Sequence, residues 1–234
     1  MPFTRDWYAL ARVADARHVD DELEALKGRL VVMGRLAEQQ VQDALNALVA
    51  GDRKALGQVL EGDHVLNELQ FEIDDSCFTL LALQQPVAID LRFIVAAAKI
   101  AVDLERVGDL AVNLAEAAER YLVHPPVKPL IDIPRMGEIA EQMLATALSA
   151  FITGNALLAE SVLGQDDRLD QLKDQVFREL LTYMLGDPKT IEPGIDLILM
   201  SRHLERIGDH ATNIAEDVIF IADARDVRHG GLIK

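Results

Sequence analysis

Glu105, Asp109, Asn113 and Glu116 lie in the stretch DLERVGDLAVNLAE (103–116). A hundred residues later HLERIGDHATNIAE (203–216) supplies Glu205, Asp209, Asn213 and Glu216 at the same spacing. At about 100° per residue the four fall within about 80° on a helical wheel, while Val107, Leu110, Ala111 and Leu114 occupy the opposite side. Each helix therefore carries an apolar face and an oxygen-donor face. Carboxylates at i and i+4 repel one another. A multivalent cation reverses that cost, because carboxylate oxygens are hard ligands suited to Mg, Ca, Mn or Fe. The repeat keeps the polar residues while Val107, Leu110, Val112 and Leu114 give way to Ile207, His210, Thr212 and Ile214. A purely structural helix would be expected to keep its apolar positions best.

The preceding helical stretch offers a matching set. Asp63 and Asn67 are four apart with Asp74 on the same face, and the second copy has Asp166 and Asp170, with Phe177 where Asp74 stands. The candidate metal ligands are thus Glu105, Asp109, Glu205, Asp209, Asp63, Asp166 and Asp170. Gly108, Ala115, Gly208 and Ala215 form a small-residue edge that would let something approach closely. Arg106 and Arg206 sit beside the stripe, to pair with it or to close a ligand or partner site. The competing readings are a solvated outer face in an acidic protein and a metal-free face that docks partners directly.

The elements that would position these residues are helices. "ALNALVAGD" (44–52) parallels "ALSAFITGN" (147–155), and "VLEGDHVLNEL" (59–69) parallels "VLGQDDRLDQL" (162–172), at an offset of 103. A period near 100 indicates a duplicated domain rather than a solenoid. Each copy predicts three helices: 20–50, 53–84 and 86–122, then 134–153, 156–185 and one starting near Gly194. Leu66, Leu69 and Ile73, like Leu169, Leu172 and Val176, form a buried stripe, and Cys77 continues it. The Pro-rich "HPPVKPLIDIP" (124–134) separates the copies. The expected fold is all-α: two tandem three-helix bundles related by a pseudo-twofold, spanning 1–123 and 135–234 with a linker over 124–134. His203 and His210 lack histidine counterparts in the first copy and are expected to serve packing or an interface.

Composition narrows the function. With 23 basic and 39 acidic residues the net charge is -16, which repels nucleic-acid phosphates and favours cations or basic partner surfaces. A single cysteine precludes an intrachain disulfide. The N-terminus does not read as a signal peptide, and "FIVAAAKIAV" is too short and too charged to span a bilayer. The expectation is a soluble cytoplasmic protein that meets membranes only through partners. There is no GxSxG, P-loop, dinucleotide fingerprint or CxxC, and Glu-x-x-x-Asp replaces the Glu-x-x-His of di-iron bundles. No catalytic or cofactor-binding residue is assigned. A metal-dependent phosphohydrolase or oxidase built on clustered carboxylates stands as the alternative.

"ALQQPVAIDLRFIVAAAKIAVDLERVGDLAVNLAE" and "LERIGDHATNIAED" resemble the paired signatures of the PhoU family. The resemblance covers about residues 15–226. It implies two three-helix bundles, frequent dimerisation, and metal clusters (iron or other cations) on the ExxxD faces. By motif the metal role passes to Glu105 and Asp109 and to Glu205 and Asp209. Asp63, Asp166 and Asp170 would be additional ligands, and Asn67 weakens its corner. The resemblance further implies a negative regulator that couples the phosphate ABC transporter to a sensor histidine kinase.

Overall fold

The computed structural model describes residues 5–62, 64–84 and 86–228, with side chains from 19 onward. Among the described residues the chain is helical and contains no strand. The first bundle comprises α1 (Arg5–Ala50), α2 (Arg53–Glu61), α3 (His64–Gln84) and α4 (Ala88–Tyr121). The second comprises α5 (Asp132–Thr153), α6 (Ala156–Leu163), α7 (Asp166–Gly186) and α8 (Ile191–Asp223), the last preceded by a 3-10 turn at Pro188–Thr190.

The tandem bundle architecture follows the duplicated pattern, but several helix bounds differ: the first helix already begins at Arg5 rather than near 20, and two helices break. The single helices expected over 53–84 and 156–185 are each two. They break after Glu61 and after Leu163, where Gly62 and Gly164 cap the short helices. Asp52 starts α2 by accepting from the Lys54 and Ala55 amides, and Asn155 starts α6 by accepting from the Leu158 amide. These side chains satisfy backbone donors that the first helical turn leaves open. The start of the last helix also moves: α8 begins at Ile191, with Pro193 inside its first turn rather than before it. Proline is tolerated there because that turn's N–H groups have no intrahelical partner. Pro134 occupies the corresponding place in α5.

α4 and α8 form the centre. Leu104, Val107, Ala111 and Leu114 of α4, and Leu204, Ile207, Ala211 and Ile214 of α8, are fully buried in one core that spans both bundles. The two helices run antiparallel, as shown by Lys99 Nζ donating to Asp217 Oδ1 at 2.9 Å and Arg120 Nε to Asp196 Oδ1 at 3.0 Å. In these two pairs the cation comes from the first copy and the buried acid from the second.

α1 and α5 make the other seam, and here the contacts are reciprocal. A Cβ added at Gly34 would lie 2.5 Å from Leu148, and one at Gly137 2.5 Å from Leu45. Gly34 and Gly137 are equivalent in the repeat, as are Leu45 and Leu148. Each helix thus inserts its leucine into the other's glycine notch, the pattern that a twofold axis between the copies requires. Phe93 of α4 stacks on Phe151 of α5, with centroids 6.1 Å apart. Among the described residues no helix is long and apolar enough to cross a membrane.

Candidate functional site

The acidic faces sit where α3 meets α4 and where α7 meets α8. Leucine–glycine contacts set both junctions. A Cβ at Gly108 would lie 2.3 Å from Leu66, and one at Gly208 2.6 Å from Leu169. The small-residue edge beside the carboxylates is therefore filled by the neighbouring helix, and Ala115 and Ala215 are fully buried. The close approach serves to bring two acidic helices together.

In the second copy, four of the candidates converge. Asp166 and Asp170 on α7 face Glu205 and Asp209 on α8, and the charges act on Asp166, Asp170 and Asp209. Burial pushes the Asp166 carboxyl up, and the charges of Asp170, Asp167 and Glu205 add to it. Asp209 is pushed up to about 6, first by burial against its neighbours and then by Glu205, Asp166 and Asp170. Its outer edge remains open to water, which screens part of that effect. Lys173 holds the group together. Its Nζ donates to Asp170 Oδ1 at 2.7 Å and to Glu205 Oε1 at 2.8 Å. These bonds pull the Asp170 carboxyl below its ordinary range and raise the Lys173 ammonium above its own.

The first copy is built differently. Arg106 Nη1 donates to Asp109 Oδ2 at 2.8 Å, and its Nε lies 3.4 Å from Glu105 Oε2. Both carboxylates are thus answered from within their own helix. Gln70 stands where the second copy has Lys173. Asp63 lies outside the described residues. Asp74 is half-buried and its carboxyl is raised by burial.

Asn213 departs from its expected place on the donor face. Its Nδ2 donates to Asp103 Oδ1 at 3.1 Å, across the seam between bundles. His210 Nδ1 lies 2.7 Å from the same oxygen, an interface role. His203 is half-buried, and burial lowers its imidazole to about 4, with Arg206, Arg202 and Arg120 adding to the shift. Cys77 is buried in the stripe of α3, its thiol raised to about 11 mainly by desolvation. Sequence reasoning missed Lys173. Comparing the copies at the 103-residue offset would have exposed it, opposite Gln70.

Among the described residues, no three acidic, histidine or cysteine side chains surround a common point closely enough to hold an ion in this arrangement. The donors nonetheless suit a hard cation. All are oxygens, and the Lys173 ammonium stands between Asp170 and Glu205. A bound ion would displace Lys173 in the second copy and Arg106 in the first.

The PhoU domain model matches residues 30–118 and 133–218. The "Phosphate-specific transport system accessory protein PhoU homolog" of Pseudomonas aeruginosa is 41% identical over 214 residues, covering 91% of this chain and 88% of that protein. The Aquifex aeolicus protein of the same description is 39% identical over 208 residues, covering 89% and 94%. The crystal structure of PhoU from Pseudomonas aeruginosa superposes with a TM-score of 0.85 at 39% identity, over 88% of this chain and 99% of that one. That of the phosphate transport system regulatory protein PhoU from Streptococcus pneumoniae gives 0.82 at 30% identity, over 89% and 99%. With both repeats matched and the fold shared along nearly its whole length, the chain belongs to the PhoU family.

Proposed function

We propose that this protein is a non-enzymatic regulator of phosphate uptake, an accessory of the phosphate-specific transport system. The observation that carries the reading is the match to relatives so named, over 91% of this chain and 88% of one of them. The acidic outer faces support it. Asp170 and Asp109 keep part of their side chains open to a cation or partner, while Glu105 and Glu205 are largely covered.

In this reading the protein acts in the cytoplasm. It binds a subunit of the phosphate ABC transporter and a sensor histidine kinase. When phosphate is plentiful it holds the kinase in its non-activating mode and restrains uptake. Metal ions (iron, manganese, zinc or magnesium) would be held by Glu105 and Asp109 with Asp63, and by Glu205, Asp209, Asp166 and Asp170. A bound ion supplies positive charge between two helices that otherwise repel. Asp170 and Glu205 would orient it, and Lys173 and Arg106 hold the same carboxylates in its absence. A homodimer is the assembly we propose.

Calorimetric titration of the purified protein with the transporter subunit and with the kinase tests the reading. Binding to at least one is expected. Binding to neither, whether metal is supplied or chelated, would refute it.

A further inference from the structure

Two phenylalanines stand out on α3. Phe71 is 75% exposed and Phe78 71% exposed, although aromatic residues make up only 5% of the chain. They are seven apart. At about 100° per residue, Phe71, Phe78 and the exposed Ala82 fall within about 40° of one another, with Asp75 and Glu68 alongside. This is an apolar ridge down the middle of an outward helix face. A buried phenylalanine contributes favourably to folding, and neither of these is used that way. About two turns apart on one solvent face, they are an exposed aromatic pair of the kind found at docking surfaces.

The charge around the ridge says what covers it. α3 carries Glu68, Glu72, Asp74 and Asp75 and no lysine or arginine. The base nearest in contact, Arg29 of α1, bonds Ser76 Oγ at 2.8 Å, about 140° round the helix from Phe71. The counterpart helix α7 differs on both counts. It has Asp174 and Leu181 at the positions of Phe71 and Phe78, and it includes Arg168, Lys173 and Arg178. The feature therefore belongs to one copy and is not a by-product of the repeat. Two copies of this chain meeting through α3 would double its carboxylates across one interface with no base to answer them, which disfavours that pairing.

We infer that the outer face of α3 is a docking surface for a basic, amphipathic segment of a partner protein. Its apolar residues would cover Phe71 and Phe78, and its lysines or arginines would meet Glu68, Glu72 and Asp75. Large aromatic side chains ringed by charges of one sign are suited to this: the rings supply affinity and the charges supply rate and selectivity. The inference rests on the regulatory reading above and names the face that reading would use.

The test compares three variants with the unaltered protein: Phe71→Ser with Phe78→Ser, Glu68→Gln with Asp75→Asn, and Phe177→Ser on α7 as a control. All the altered side chains are exposed, and thermal melting checks that each variant folds. The probes are the purified transporter subunit and the kinase, titrated at low and at moderate salt. For whichever binds, the aromatic pair should weaken affinity roughly tenfold or more. The carboxylate pair should weaken it several-fold at low salt and flatten its salt dependence. Phe177→Ser should leave it unchanged.

If the unaltered protein binds a probe and both paired variants bind it equally well, the docking face is elsewhere while the regulatory reading stands. Binding to neither probe by the unaltered protein removes both. Light scattering that shows a dimer converted to monomer by Phe71→Ser with Phe78→Ser would make the occupant a second copy and overturn the inference.

Discussion

Replacing Asp209 by asparagine should make the metal-free protein more stable at neutral pH. The folded carboxyl is raised from its ordinary 3.8 to about 6 by desolvation and by Glu205, Asp166 and Asp170. A group whose pKa is higher folded than unfolded holds its proton better in the native state. Its cost is therefore absent below about pH 4, grows as pH rises, and is complete above about pH 6. Fully felt, a shift of that size would be about 3 kcal/mol. The side chain is open to water on its outer edge, so we take roughly a third of it, about 1 kcal/mol. For a chain of this length that is about 2–4 °C in Tm. Urea unfolding of wild type and Asp209→Asn in EDTA, in dilute solution at pH 7.5 and pH 4.0, on either side of the isoelectric point near 4.7, measures it. The variant's advantage should be present at pH 7.5 and shrink at pH 4.0. An equal or lower stability at pH 7.5 would show that the four carboxylates do not strain one another, and the reasoning would fail.

Lys173→Met removes the ammonium between Asp170 and Glu205. Manganese binding at the second copy, followed by calorimetry, should tighten about tenfold because the ion no longer displaces a paired cation; an unchanged affinity would count against Lys173 as a stand-in. Gly137→Ala drives a methyl onto the terminal carbons of Leu45, a buried side chain. It should cost about 1–3 kcal/mol in urea unfolding, and in a Leu45→Ala background the same change should cost less, which an independent pair of sites would not show. Lys99→Met leaves Asp217 buried without its partner. It should destabilise by about 3 kcal/mol, with the loss shrinking at low pH as the carboxyl protonates.

Much of this fold is legible in the chain. α4 and α8 read clearly because their apolar positions repeat along 34 and 33 residues, long enough for helical periodicity to dominate local noise. The breaks at Gly62 and Gly164 do not read. A single glycine is tolerated inside a helix at about 1 kcal/mol, and the apolar spacing continues from Val59 to Leu66 across the gap. The donor faces were visible as a pattern on single helices, but what closes them was not. Lys173 lies on the same turn as Asp170, yet its other partner, Glu205, is 32 residues away, and only the packing of α7 on α8 joins them. Asn213 sits at the rim of the wheel's polar sector. Whether a rim residue faces the solvent or the next bundle depends on the antiparallel register of α4 and α8, which one helix read alone does not contain.

Restraint of the phosphate-starvation response, as proposed, is open to a direct test in cells. Its most direct measurement is a starvation-responsive promoter reporter in cells grown with abundant phosphate, with and without the gene. Regulation as proposed predicts a promoter that is active in the deletion strain and silent again when the intact protein is restored. A promoter that stays silent in the deletion strain, with uptake unchanged, would contradict the account.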